Sequence, residues 1–194
     1  MPFRMLISEN DGLNEILSIA RLELKKGPTA KRHPFRFAVL SSASSEKVSS
    51  RWVVFRKYTD EGKMLIYTDA RSKKCEELSA NPHCNLLFYH DRHKFQLRIQ
   101  AVATLHHQDE LTAKYWPRVK GSNPNDYLSI QAPGTPIKEK ALGFERDMSM
   151  EDRHFVVLEL APQEMDVLQL NGDRHIRAQF QKEQAGWKSS FLVP

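Results

Sequence analysis

A mainly β fold, a barrel of short strands with a few added helices, is what this sequence predicts. From Phe35 onward, short runs rich in β-branched and aromatic residues follow one another, separated by turn-forming residues. One run alternates cleanly, with Phe95, Leu97 and Ile99 facing one way and Gln96, Arg98 and Gln100 the other. Helical periodicity is confined to a few stretches, so about eight strands outweigh the helices and favour a barrel. The 194 residues, 40% of them apolar, suit a single domain over 1–194.

The elements follow in order. Leu13, Ile16, Leu17, Ala20 and Leu24 recur at helical spacing, which predicts an amphipathic helix over about 11–26, stopped by Gly27-Pro28. Residues 1–34 thereby form a helical extension ahead of the strands. Phe37–Leu40 and Arg51–Phe55 read as strands, and Met64–Thr68 pairs with its neighbour through a Thr59-Asp60-Glu61-Gly62 turn. Ser72–Ala80 reads as a short helix with Ser72 as N-cap and Asn81-Pro82 as its end. Strands resume at Asn85–Tyr89 and Phe95–Ile99, and Gln108–Trp116 looks helical. Residues 117–152, rich in Pro, Gly, Ser and Lys, form a connection too long to be a plain linker. Strands return at His154–Leu160, Met165–Leu170, Ile176–Gln181 and Trp187–Val193.

Charge and composition exclude several classes. The net charge of +5 comes from 29 basic against 24 acidic residues, interspersed rather than gathered into a basic arm, which weighs against nucleic acid. Trp52, Tyr67, Phe88 and Tyr89 alternate with aliphatics, as core residues do, and offer little support for a stacking platform. No stretch approaches the roughly 20 apolar residues of a membrane helix. The start, Met1 to Glu9, is too short in its apolar part for a secretory signal, so the expected location is cytoplasmic. Cys75 and Cys84 read as reduced thiols, not as a disulfide framework or zinc site.

The most informative local conflict is Arg71-Ser72-Lys73-Lys74. A helix N-terminus favours acidic residues, yet this one opens on lysines; a bound phosphate would reverse the sign of the effect. A solvated basic turn paired with Glu76 and Glu77 explains the same residues. Arg51 and Arg56 bracket an apolar strand and either snorkel to water or grip an anion. His90 and His93 fall in an expected hairpin loop and His106-His107 at a strand end; such histidines are usually solvated, and no metal site is assigned to them.

Together these segments resemble the pyridoxamine 5′-phosphate oxidase family, the FMN-binding split-barrel flavoproteins. The resemblance runs through Ser50–Arg56, Tyr67-Thr68, Ser72-Lys73-Lys74, Asn81-Pro82, Leu86–Tyr89 and Gln96. It resumes from Gln163 through Gly186-Trp187 to Leu192-Val193-Pro194, so that it spans about residues 35 to 194. It implies a homodimer with FMN in two clefts at the subunit interface and a small-molecule substrate. By position, Arg51 and Lys74 would hold the FMN phosphate, with Lys73 where the family has Arg. Trp52, Val53, Val54, Phe55 and Arg56 would run along the flavin, and Tyr67 and Thr68 beside the ribityl chain. Gln96 would bond the isoalloxazine edge, and Gln131 would be a further FMN contact. Tyr115, Arg118 and Ser122, with Arg56, would face the substrate, placing its phosphate in the 117–152 region.

The resemblance thins near the C-terminal end. Leu168 stands where the family has Trp, and Asp173-Arg174-His175-Ile176-Arg177 matches the family's Arg-Leu-His-Asp-Arg only across a gap. Arg174 and His175 are the catalytic-side candidates and Arg177 a flavin contact; a polar turn at Asn171-Gly172-Asp173 explains them equally. Arg56 replaces a lysine and Ala132 a serine. The expectation is an FMN-dependent oxidoreductase related to pyridoxamine/pyridoxine 5′-phosphate oxidase. The alternative is a flavin- or haem-binding split-barrel protein without that activity.

Overall fold

The computed structural model describes residues 5–44 and 47–194; Met1 to Arg4, where the reading of the N-terminus begins, lie outside the described residues. Helix α1 (Leu13–Thr29) leads into a 3₁₀ turn at Pro34–Arg36 and then strands β1 (Phe37–Ala43), β2 (Val48–Tyr58) and β3 (Met64–Asp69). Helix α2 (Lys73–Ala80) precedes β4 (His83–His90) and β5 (Phe95–His107). Helix α3 (Glu110–Lys120) and three 3₁₀ turns lead to β6 (Phe155–Gln169), β7 (Ile176–Glu183) and β8 (Gly186–Leu192).

The strand order is β3-β2-β1-β4-β5-β6-β7-β8, and a further β3–β6 pairing closes the first part into a barrel. All pairings are antiparallel. The β7–β8 hairpin extends the sheet beyond the ring. Inside, Leu40, Phe55, Leu86, Phe88, Phe95, Leu97, Leu158 and Phe180 form the core. The period-two pattern in Phe95–Gln100 survives intact, its odd residues buried.

Helix α1 belongs to this core more than an appended extension would, since Ile16, Ala20 and Leu24 are fully buried in it. It also runs past its expected stop, with Gly27 and Pro28 inside the helix. Gly27 serves close approach: a Cβ there would lie 2.7 Å from the carbonyl oxygen of Phe35. The Ala30 amide donates to the Lys26 carbonyl and closes the last turn at 2.9 Å.

Helix α3 likewise continues beyond Trp116, through Pro117, to Lys120. A proline forfeits one amide donor without preventing the turn that follows it. Burial of Trp116 and Val119 against Tyr127 and Phe155 offsets that loss. The strands expected at 154–160 and 165–170 are one, β6. Pro162 is accommodated where the register against β5 shifts between Gln100 and Ala101, a bulge that needs no ladder donor.

Candidate functional site

Strand β2 carries the first half of the site. Its register against β3 shifts between Phe55 and Lys57, leaving Arg56 without a partner across the ladder. A bulge re-aims the side chain it carries. Arg56 consequently sits over the Tyr67 ring, 5.6 Å from its centroid, at the mouth of a cleft of about 520 Å³. Trp52, Val53 and Val54 form one wall of that cleft, and Tyr67 and Thr68 of β3 form the next.

The start of α2 supplies the charge. Ser72 occupies the N-cap, but its hydroxyl makes no capping bond. It lies instead 3.3 Å from Thr68 Oγ1, which also accepts from Lys74 Nζ at 2.8 Å. Burial chiefly, and then the nearby Arg51 guanidinium, hold the Lys74 pKa below its ordinary value. Lys74 forms no ion pair among the described residues. The two carboxylates whose charge acts on it are taken: Asp69 by Arg71 at 2.7 Å and Glu77 by Arg51 at 2.8 Å. A desolvated ammonium lined up with two hydroxyls is a site for an anion.

Arg71 has a structural role that the sequence conceals. Its guanidinium grips Asp69 through Nε and Nη2 and donates to the carbonyls of Ser129 at 2.8 Å and Ile130 at 3.1 Å. This clamp fixes the far wall, where Ser129 and Gln131 line the cleft. It also removes Arg71 from the cations open to a ligand. The expected pairing of the lysines with Glu76 and Glu77 does not form among the described residues.

The remaining site candidates divide by position. Arg51 lies behind the cleft wall, donating to Ser42 Oγ and to Glu77, whose carboxylate also accepts from Ser42 and Ser49. Phe55 is core. Lys73 is exposed and does not line the cleft. Arg118 and Ser122 line a second, smaller cleft that shares Val54, Arg56, Tyr67 and Tyr127 with the first. Tyr115 lines neither; its hydroxyl accepts from Lys57 Nζ at 3.3 Å. Burial first, with Tyr115 beside it, pushes the Tyr67 hydroxyl up to about 12 despite Arg118 and Arg56 nearby. That hydroxyl stays a neutral donor.

Gln96, Leu168 and Arg177 stand opposite one another across β5, β6 and β7 on the outward sheet face, away from the cleft. Arg177 and Arg98 both bond the buried Asp166. Arg174 pairs with Glu9 at 3.2 Å, and His175 Nδ1 accepts from the Asn171 amide, closing the polar turn.

The histidines correct one expectation. His90 is buried, and with Glu23 and His33 it brings ligand-type atoms within 4.8 Å of one another. Yet His33 Nδ1 accepts from the Phe35 amide at 3.1 Å, which makes its Nε2 the donor to Glu23 at 2.9 Å. A proton thus holds the position a metal would need. Lys26 takes the other Glu23 oxygen at 2.8 Å. The cluster is a clasp between α1 and the barrel.

Comparison with known proteins gives a consistent result. Residues 30–169 match the family model described as pyridoxamine 5′-phosphate oxidase. A pyridoxine/pyridoxamine 5′-phosphate oxidase of Ehrlichia chaffeensis is 28% identical over 180 residues, covering 88% of this chain and 86% of that one. One from Rubrobacter xylanophilus is 26% identical over 168 residues, covering 80% and 76%. Among solved structures, a pyridoxamine 5′-phosphate oxidase-related, FMN-binding protein of Nostoc punctiforme superposes with a TM-score of 0.71 at 21% identity, covering 90% of this chain and 96% of that one. PhzG of Burkholderia lata, solved with tetrahydrophenazine-1-carboxylic acid, gives 0.68 at 22%, covering 93% and 90%. At those identities the superpositions establish the split-barrel fold.

Proposed function

Since the chain belongs to the pyridoxamine 5′-phosphate oxidase family, we propose that it holds FMN in the β2–β3–α2 cleft and acts as an FMN-dependent oxidoreductase on a small phosphorylated substrate. The observation that carries this reading is Lys74, half-buried, bonded to Thr68 and without an ion-paired carboxylate among the described residues. The cleft volume, about 520 Å³, lies within the range of cofactor pockets. FMN supplies two-electron redox chemistry when bound.

The chain's own residues bind and orient. Lys74, Thr68 and Ser72 meet the phosphate, with Arg51 adding its charge from behind. The wall from Trp52 to Val54 offers a flat, largely apolar surface for the ring system and keeps water from one side of it. Gln131, held in place by the Arg71 clamp, closes the opposite side. Arg56 and Arg118 face the substrate.

The outward face of β1, β2 and β4 supports a homodimer. Trp52 is 70% exposed and Phe37 48%, and both share that face with Val39, Val54 and Leu87. On the same face, Asn85 Oδ1 and Arg98 Nε are buried without a hydrogen-bond partner among the described residues. Trp52 also borders the cleft, so a second copy seated here would wall it. In that arrangement Gln96, Arg177, Arg174 and His175 would approach a cleft from across the interface.

Titration of the purified protein with FMN, followed by quenching of flavin fluorescence, tests the reading. Stoichiometric binding is expected, weakened roughly tenfold or more in Lys74→Ala, as for loss of a charge-assisted contact. Equal affinity in the variant would place the phosphate elsewhere. Peroxide release on adding pyridoxine 5′-phosphate under air then reports the oxidase activity.

A further inference from the structure

We infer that a third cleft, separate from the other two, binds a small organic monocarboxylate with a flat apolar body, gripped by Arg21. The cleft measures about 320 Å³ and opens between α1, the β2–β3 turn, β6 and the β7–β8 hairpin. It shares no lining residue with the cofactor cleft or its smaller neighbour. Its volume suits a small ligand.

Arg21 is held in place before any ligand arrives. Its guanidinium lies over the Trp187 ring, 5.9 Å from the centroid, and beside the Tyr58 hydroxyl. Burial pushes that hydroxyl above its ordinary pKa of 10 despite the Arg21 charge, so it stays a proton donor. The turn that follows Tyr58 is fixed as well. The Thr59 amide donates to the Lys63 carbonyl at 2.8 Å, and the Lys63 amide to Thr59 Oγ1 at 3.1 Å. Arg21 nevertheless forms no ion pair among the described residues. A half-buried fork, pinned between two rings and lacking a carboxylate, is prepared for one from outside.

Charge decides the class of ligand. Lys63 is neutralised by Glu159 at 2.6 Å. The exposed Lys25 and Lys182 are matched in number by the exposed Asp60 and Glu61. One positive charge is left over, that of Arg21, and it suits a monoanion. A phosphate dianion would also have to bear the two carboxylates that line the cleft. A planar carboxylate offers both oxygens to one guanidinium in a single plane. Ala161, Pro162 and Trp187 then present apolar surface to the rest of the molecule.

Calorimetric titration with phenylacetate tests the site, with phenethylamine as the same apolar body carrying a cation. Phenylacetate should bind once per chain and phenethylamine far more weakly. The phenylacetate affinity should fall roughly tenfold in Arg21→Gln, as for loss of a charge-assisted contact. Arg21→Lys, which keeps the charge but not the fork, guards against a folding defect and should lose most of that factor. Saturating FMN, or Lys74→Ala, should leave phenylacetate binding unchanged, whatever becomes of the flavoprotein reading. Undiminished affinity in both Arg21 variants, or equal binding of the amine, overturns the proposal. Displacement of phenylacetate by FMN, or its loss in Lys74→Ala, would put the acid in the cofactor cleft and overturn it too.

Discussion

Glu77 shows how one side chain shapes the site without touching a ligand. Burial would push its carboxyl up, but hydrogen bonds from Ser42, Ser49 and Arg51, with the Arg51 charge, hold it below the ordinary carboxylate range. It stays ionised and keeps Arg51 directed behind Lys74. Replacing it by Ala strands two hydroxyls and a guanidinium. Arg51 retains 23% side-chain exposure and reaches water, so the expected loss is about 1–3 kcal/mol rather than that of a fully buried broken pair. Urea denaturation of Glu77→Ala checks this, and a change below about 0.5 kcal/mol, the range of surface substitutions, would show the network to be incidental. The basic helix start was legible in the sequence; the separate fates of its cations were not. Arg71 and Lys74 look alike as letters, and only the fold assigns Asp69 to the first and the Thr68 hydroxyl to the second.

At the scale of elements, the clasp between α1 and the barrel should make stability depend on acid. Burial, reinforced by His93, lowers the His90 pKa from its ordinary 6.5 despite Glu23 nearby. Glu23 is raised by burial but lowered overall from 4.5 by Lys26 and His33. An unfolded chain takes up a proton at His90 below pH 6.5 that the folded chain resists, so stability starts to fall there. The Glu23 contribution, complete above 4.5, is lost as pH falls through its lower folded value. Melting temperatures from pH 8 downward should decline, and less steeply in His90→Gln. Parallel profiles in the two proteins would remove His90 as the cause. The alternation in β5 and the periodicity of α1 gave these elements away in the sequence. The helix ends and the continuity of β6 were hidden, because Gly27, Pro117 and Pro162 act through close approach and register, which local propensity does not encode.

For the whole molecule, the order of strands matters more than any one of them. The barrel was readable as a class from the rhythm of short runs. Its closure through β3 and β6 was not, since those strands lie far apart in sequence. Of the second, smaller cleft, Arg56, Arg118 and Ser122 were legible through the resemblance, whereas Arg36, at the head of a strand, carries no motif. Sedimentation velocity over a range of concentrations should show a dimer. Phe37→Glu, which puts charge on the exposed face while leaving the core alone, should shift it toward monomer and weaken flavin binding together. A wild-type chain that sediments as a monomer throughout would require each cleft to be complete by itself.

Ring closure has a further consequence for how copies can meet. With β3 joined to β6, the sheet ends in solvent at β8, a seven-residue strand bearing Lys188. A short, charged rim is a poor template for lateral backbone pairing, so fibre-like growth is discouraged. For the proposed homodimer this favours contact through side chains on the broad flank of the cylinder, where a twofold arrangement would satisfy both molecules at once and then stop.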